Sequence, residues 1–360
     1  MLQPPHSTAV TDRLPAKAPG SEPPRSVLVV DDEPGVRHLM RRWLESRGYV
    51  VSVAANATEA LALLAHTQVA VVVSDVRMPG RDGLWLTDHL RHTCPETAVI
   101  LATSIDDVAT AVEGLRQGVV DYLTKPFDRG RLFAAVSRAV EWHRAAADSK
   151  RWRDTLEGEM QQRHALVADI ITRWPVDSDD TLDALLSRLM GDNPEAYAHG
   201  YRVAALSASL ARTLGLTEAE IAIVEHGGLL HDLGKLAMPQ AVLRKPAPLT
   251  VEEQRLIRRH PAVGSALVES IPFVAPSASI VRDAQERLDG LGFPNGSRGS
   301  SVSIGARIVS VADVYDTMTR ARVFRDALLP AGALDELARW AGTQFDSRVV
   351  EAFRAMVSAQ

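Results

Sequence analysis

The chain has 360 residues, 46% of them hydrophobic and 24% charged, an ordinary globular balance spread over more length than one typical domain needs. Forty basic residues against 45 acidic leave a net charge of −5, which supplies no field for non-specific binding of nucleic acid or anionic lipid. A single cysteine excludes a disulfide scaffold and a cysteine-built zinc site; eleven histidines remain as soft ligands, and none follows His260.

Residues 1–25 are proline-rich (Pro4-Pro5, Pro15, Pro23-Pro24) and lack an apolar run, which predicts a disordered tail rather than a signal peptide. No window of about eighteen apolar residues occurs, so the expectation is a cytoplasmic protein with no membrane partner. From Ser26 onward, short β-branched runs alternate with helical periods: Val27 to Val30, Val50 to Val53, Val69 to Val73, Ala98 to Leu101 and Val119 to Leu123. Five such runs predict an α/β domain over 26–127 with a doubly wound, parallel five-stranded sheet. Residues 128–175 read as a charged, nearly unbroken helix with a patchy apolar seam (Leu132, Val136, Ala139, Val140, then Trp152, Leu156, Met160, then Val167, Ile171). That pattern suits a helical linker, either a short coiled coil that would make a homodimer or a solvated helix lying on the next domain. Beyond Pro175 the periodicity is helical to the end, which predicts an all-α domain over 176–360.

In an open parallel sheet, ligands bind beyond the carboxyl ends of the strands. The residues there form a set: Asp31 and Asp32 after the first strand, Asp75 after the third, Thr103 and Ser104 after the fourth, Lys125-Pro126 after the fifth. Converging carboxylates are costly unless a cation neutralises them, and magnesium suits an oxygen-only site. One carboxylate can then act as a nucleophile toward phosphorus. Any one of these aspartates alone would more often be a turn former or helix cap. Together with Val29-Val30-Asp31-Asp32, Ser74-Asp75-Val76-Arg77-Met78-Pro79-Gly80 and Asp121-Tyr122-Leu123-Thr124-Lys125-Pro126-Phe127, they make the segment resemble the receiver domain of two-component response regulators. The resemblance implies that Asp75 accepts a phosphoryl group from a sensor histidine kinase and that Asp31, Asp32 and Asp75 hold Mg2+. It further implies that Lys125 contacts the phosphoryl group, that Thr103 and Tyr122 are the switch residues, and that the Lys125-Pro126 bond is cis.

The helical region contains Leu230-His231-Asp232-Leu233-Gly234-Lys235. A lone His-Asp pair is more often a capped helix end, but Glu195 and His199 stand four apart on one helix face upstream, and His260 and Asp313 follow. Mixed imidazole and carboxylate ligands suit a transition metal, which activates water for hydrolysis. These residues resemble the HD superfamily of metal-dependent phosphohydrolases and its HD-GYP branch, as do Lys245-Pro246-Ala247-Pro248-Leu249-Thr250 and Asp289-Gly290-Leu291-Gly292-Phe293-Pro294. The resemblance implies a cyclic di-GMP phosphodiesterase in which His199, His231, Asp232 and Asp313 form the minimal metal set and Glu195 and His260 serve further ions. Lys235 would sit near phosphate, and Arg322 and Arg325 would hold the dinucleotide; an alternative for that arginine pair is a solvated helix end. The glycine loop at 290–296 is, by the same resemblance, a docking point for a diguanylate cyclase.

One departure stands out. Where the branch carries two adjacent histidines, this chain has Ala284 and Gln285, with Glu286, Arg287, Asp289 and Gly290 in place. Alanine cannot ligate, and glutamine offers only a neutral carbonyl. The expectation is one transition metal, iron or manganese, or none, with weak or absent hydrolysis; the alternative is a silent regulator that binds nucleotide or protein when Asp75 is phosphorylated. A helix-turn-helix rhythm over 203–222 raises DNA binding, but its second helix carries Glu218 and Glu220 and no basic residue, so DNA is a poor partner.

Overall fold

A computed structural model describes residues 26–104, 118–191, 193–321 and 326–358. The chain divides into two compact units, Met1–Trp152 and Arg153–Gln360.

In the first unit, β1 (Ser26–Val30), β2 (Val50–Ala54), β3 (Val71–Asp75), β4 (Ala98–Ser104) and β5 (Asp121–Lys125) form one parallel sheet in the order β2-β1-β3-β4-β5. Valine-rich strands buried on both faces are what a parallel sheet covered by helices requires. Val27, Val29, Val71, Val73 and Ile100 face one apolar layer, and Leu28, Val30, Val72, Val99 and Leu101 the other. Helices α1 (Pro34–Glu45), α2 (Ala57–Leu64) and α3 (Gly83–Thr93) connect the early strands; the last two begin at Asn56 and Asp82, whose side chains accept from backbone amides of the first turn. Two strands sit later than the pattern of valines implies. β3 runs on through Ser74 to Asp75 because these residues still pair with Leu101 and Ala102, and β5 starts at Asp121 opposite Ile100. The polar residues expected just past the strands are therefore their last paired rungs: Thr103 lies opposite Thr124 and Ser104 opposite Lys125.

Helix α4 spans Arg129–Arg173, 45 residues. Its early apolar residues, Leu132, Ala135, Val136, Ala139 and Val140, belong to the core of the first unit. Leu156, Met160, Val167 and Ile171 belong to clusters of the second. Both ends thus serve as domain helices, and only the charged middle, residues 141–155, is largely solvated.

The second unit is helical. Helices α5 (Asp179–Met190), α6 (Pro194–Thr213) and α7 (Glu218–Leu230) are followed by a 3-10 turn at Leu233–Ala237, then α8 (Gln240–Leu243), α9 (Val251–Ile257), α10 (His260–Glu269) and α11 (Ala278–Asp283). After a loop come α12 (Ile304–Thr319), α13 (Pro330–Arg339) and α14 (Ser347–Ser358). Helices α6, α7 and α12 enclose a core of Val203, Leu210, Ile221, Val224, Ile308 and Val311, capped by Leu337 and Phe353. The helix pair that resembled a DNA reader is part of this core, with Ile221 and Val224 buried. No described helix is long and apolar enough to cross a membrane.

Candidate functional site

At the carboxyl edge of the sheet, Asp31, Asp32 and Asp75 each offer a carboxylate oxygen within 4.8 Å of the others, a spacing that one cation can span. Lys125 lies between two of them, its Nζ donating to Asp31 Oδ2 at 2.8 Å and Asp75 Oδ2 at 2.9 Å. Asp31 is fully buried, and Asp32 is exposed at the rim. Burial raises the Asp75 carboxyl above its ordinary value; Lys125 pulls it down and the Asp31 charge pushes it up. Burial opposes the Lys125 charge, yet its bonds to both aspartates hold its pKa above the usual lysine value. Gly83 opens α3 against the strand end, where a Cβ would lie 2.1 Å from the Asp75 carbonyl oxygen; only glycine permits this approach. Thr103 is buried beside the site, Tyr122 is exposed, and the Lys125-Pro126 bond is cis.

In the helical unit, His199 on α6, His231 at the end of α7 and Asp313 on α12 bring one ligand atom each within 4.8 Å of one another. Glycines allow the close packing beneath them. A Cβ on Gly200 would sit 2.9 Å from the Leu229 carbonyl oxygen, and one on Gly228 would sit 3.0 Å from Ala204 Cα. His199 Nε2 stands 3.2 Å from Asp313 Oδ1, and His231 Nε2 stands 3.7 Å from the same oxygen. Asp232 extends the cluster, with Oδ1 3.6 Å from both His231 Nε2 and His260 Nε2. His260 reaches it because Gly234 lets the 3-10 turn press against the start of α10: a Cβ there would lie 1.9 Å from the His260 carbonyl oxygen.

The orientation of two of the rings fits a cation. His231 Nδ1 donates to Gly228 O at 2.7 Å and His260 Nδ1 to Ile257 O at 2.8 Å, which turns each Nε2 lone pair inward. His231 Nε2, His260 Nε2 and Asp232 Oδ1 are buried with no hydrogen-bond partner among the described residues. Buried polar atoms are rarely left so, and these three converge. Burial lowers the His260 pKa and favours the neutral ligand form. Burial works against the Asp232 charge, but Lys235, whose Nζ is 2.6 Å from Oδ2, and the two histidines hold its carboxyl below the usual range. His199 goes the other way: burial opposes its charge, but bonds to Asp313 and Asp316 raise it to about 9.

Not every residue singled out from the sequence joins this cluster. The Glu195 side chain is 74% exposed and accepts from Arg202 Nη2 at 2.8 Å. Arg322 and Arg325 lie outside the described residues. Ala284 is buried in the apolar core, and Gln285 Nε2 lies 3.3 Å from Asp313 Oδ2, donating to a carboxylate oxygen. The glycine loop folds back over this segment. Asp289 bridges Arg298, Glu286 accepts from Asn295 N at 2.7 Å and Ser297 N at 3.1 Å, and the Phe293 ring meets His260 edge-on at 6.0 Å.

Comparison with known proteins matches residues 27–137 to the response regulator receiver domain and residues 184–349 to the HD domain. The cyclic di-GMP phosphodiesterase response regulator RpfG of Xanthomonas campestris pv. campestris is 31% identical over 333 residues, covering 91% of this chain and 86% of that protein. The chain belongs to the receiver–HD-GYP response regulators. A cyclic di-GMP phosphodiesterase of Thermotoga maritima is 26% identical to this response regulator over 330 residues, 91% of this chain and 89% of that one. A third, from Pseudomonas aeruginosa, is 38% identical over 180 residues, 49% of this chain and 42% of its own. Receiver and HD domains both imply metal binding, which agrees with the two clusters described in this response regulator.

Two residues around the second cluster escaped the sequence reading. Asp316 accepts from His199 Nδ1 at 2.7 Å, and Arg202 donates to Asp316 through Nε at 2.7 Å and Nη2 at 2.9 Å. The signal was present as spacing: Arg202 is three residues after His199, and Asp316 is three after Asp313, each one helical turn from a candidate ligand.

Proposed function

We propose that a sensor histidine kinase phosphorylates this response regulator on Asp75, and that the receiver controls an HD domain holding a single transition metal, iron or manganese, with weak hydrolysis of cyclic di-GMP. In the receiver, Asp31, Asp32 and Asp75 would hold Mg2+ and Lys125 would contact the phosphoryl oxygens. Thr103 and Tyr122 would carry the change to the surface. The convergence of Lys125 on Asp31 and Asp75 supports this reading, because the lysine already neutralises the site where phosphoryl charge would arrive.

In the HD domain, His199, His231, Asp232 and Asp313 would hold the metal, which when bound supplies an activated water and charge stabilisation for phosphodiester cleavage. His231 and His260 present fixed lone pairs, and Lys235 holds Asp232 ionised beside where phosphate would bind. The single observation carrying the weak-activity reading is Gln285. Its amide donates to Asp313 Oδ2 on the side where the branch supplies histidine, and Ala284 beside it is buried in core. A second ion would keep only His260 and a share of Asp232. Loss of one ion from a two-ion reaction removes several kcal/mol of transition-state stabilisation, roughly tenfold in rate per ~1.4 kcal/mol.

Gln285 and Ala284 also favour a second reading, in which the HD domain is silent and acts by binding cyclic di-GMP or a protein. Metal analysis and cyclic di-GMP turnover of the purified protein separate the two. One ion with slow turnover supports the first reading, one ion with none supports the second, and two ions with turnover on the order of one per second or faster overturns both.

A further inference from the structure

We infer that Arg202 and Asp316 are positioning residues for the HD metal, a brace that aims His199 at it; the inference rests on the metal-binding reading above. Asp316 lies in the buried last turns of α12, its side chain 5% exposed, and would be costly there as an isolated charge. It is not isolated. Its two oxygens take the Nε and Nη2 donors of Arg202 and the Nδ1 donor of His199. That arrangement settles three things about the imidazole. The proton on the Asp316 side is at Nδ1, the ring plane is set by a 2.7 Å bond, and Nε2 is left to face Asp313. His231 and His260 achieve the same orientation with backbone carbonyls, which cannot move away from their rings. His199, the sixth residue of α6, instead takes its Nδ1 partner from a side chain on another helix, Asp316 of α12.

Arg202 makes that side chain dependable. Its planar guanidinium grips the carboxylate with two donors, which a lysine cannot do, and one helical turn from His199 it moves with the same backbone. The same Nη2 also donates to Glu195 Oε1 at 2.8 Å, and this exposed carboxylate sits at the end of the row Glu195, Arg202, Asp316, His199. Such partners of a metal-ligating histidine typically matter to affinity by roughly 10–100-fold.

The test is a cobalt(II) titration of the full-length protein in excess magnesium, which occupies the oxygen-only receiver site. Visible d–d bands report nitrogen ligation, and near-ultraviolet circular dichroism verifies the fold. Asp316→Asn is expected to weaken cobalt binding roughly 10–100-fold and alter the band shape while the domain remains folded. Arg202→Gln should follow it, and Arg202→Lys, which restores charge but not the two-pronged grip, should recover part of the loss. A merely structural role would lower the melting temperature and leave the cobalt affinity of the folded protein unchanged. Parental affinity in folded Asp316→Asn overturns the inference; if that variant does not fold, parental affinity in Arg202→Gln does so. Absence of nitrogen-ligated cobalt in the parent overturns the metal reading itself, and the inference with it.

Discussion

The two candidate sites solve one problem, converging charge, in opposite ways. In the receiver, Lys125 is a built-in cation: it bonds Asp31 and Asp75 directly and offsets one of the three carboxylate charges gathered there. In the HD domain Lys235 covers Asp232, but His231 Nε2 and His260 Nε2 remain buried without hydrogen-bond partners among the described residues. Unsatisfied buried groups cost about 1–3 kcal/mol each, so a cation meeting those lone pairs would stabilise the domain.

The sharpest break between them is chemical. Asp75→Asn should abolish acid-stable, hydroxylamine-sensitive labelling by a small phosphodonor, while cobalt binding in the HD domain stays as in the parent; residual labelling would move the acceptor elsewhere. Chelation should then separate the two by stability. With metal at about a thousand times its dissociation constant, removal costs the HD domain roughly 4 kcal/mol and the receiver much less, readable as one shifted transition in thermal unfolding. A parallel shift of both transitions would refute the contrast. Gly234→Ala is expected to destabilise the HD domain by roughly 3 kcal/mol, the upper end for overpacking, because its methyl would strike the His260 carbonyl oxygen 1.9 Å away. Urea unfolding measures it, and an unchanged midpoint would show that the turn can relax.

The smallest effect is in acid. The unpaired Asp316 carboxyl would titrate near 3.8; burial raises that, but His199 and Arg202 bring it down to about 2. A lowered carboxyl pKa contributes stability that is present above the unfolded value and lost as pH falls through the folded one. Metal-free protein should therefore lose roughly 2 kcal/mol of HD stability between pH 4 and pH 2 that Asp316→Asn does not lose. Acid titration by circular dichroism checks this, and identical profiles would refute it.

The two halves were unequally legible. The receiver could be read almost whole because strands of the Val27 to Val30 kind have a fixed relation to the sheet, so residues at strand ends must converge. What was missed there was local: β3 and β5 continue through Asp75 and Lys125, since pairing with β4 outweighs the weak strand propensity of charged side chains. The candidate HD ligands were named as residue types by resemblance, but their helices cross at angles that periodicity does not specify. Glu195 and His199 share a helix face in sequence, yet the histidine is buried in the cluster and the glutamate goes outward to Arg202.

By itself, the order of residues determined the two-part architecture, the carboxylate-and-lysine set at the sheet edge, and the replacement of a histidine pair by Ala284 and Gln285. The first two follow from short-range periodicity and from which side chains are present at all; the third comes from the resemblance to the HD-GYP branch. Only the tertiary structure decided that Gln285 turns its amide to Asp313, that Ala284 belongs to the core, and that Asp316 and Arg202 stand behind His199. Those contacts join residues between 28 and 117 positions apart, where the packing of α6 and of the segment after α11 against α12, rather than any local pattern, sets which atoms meet.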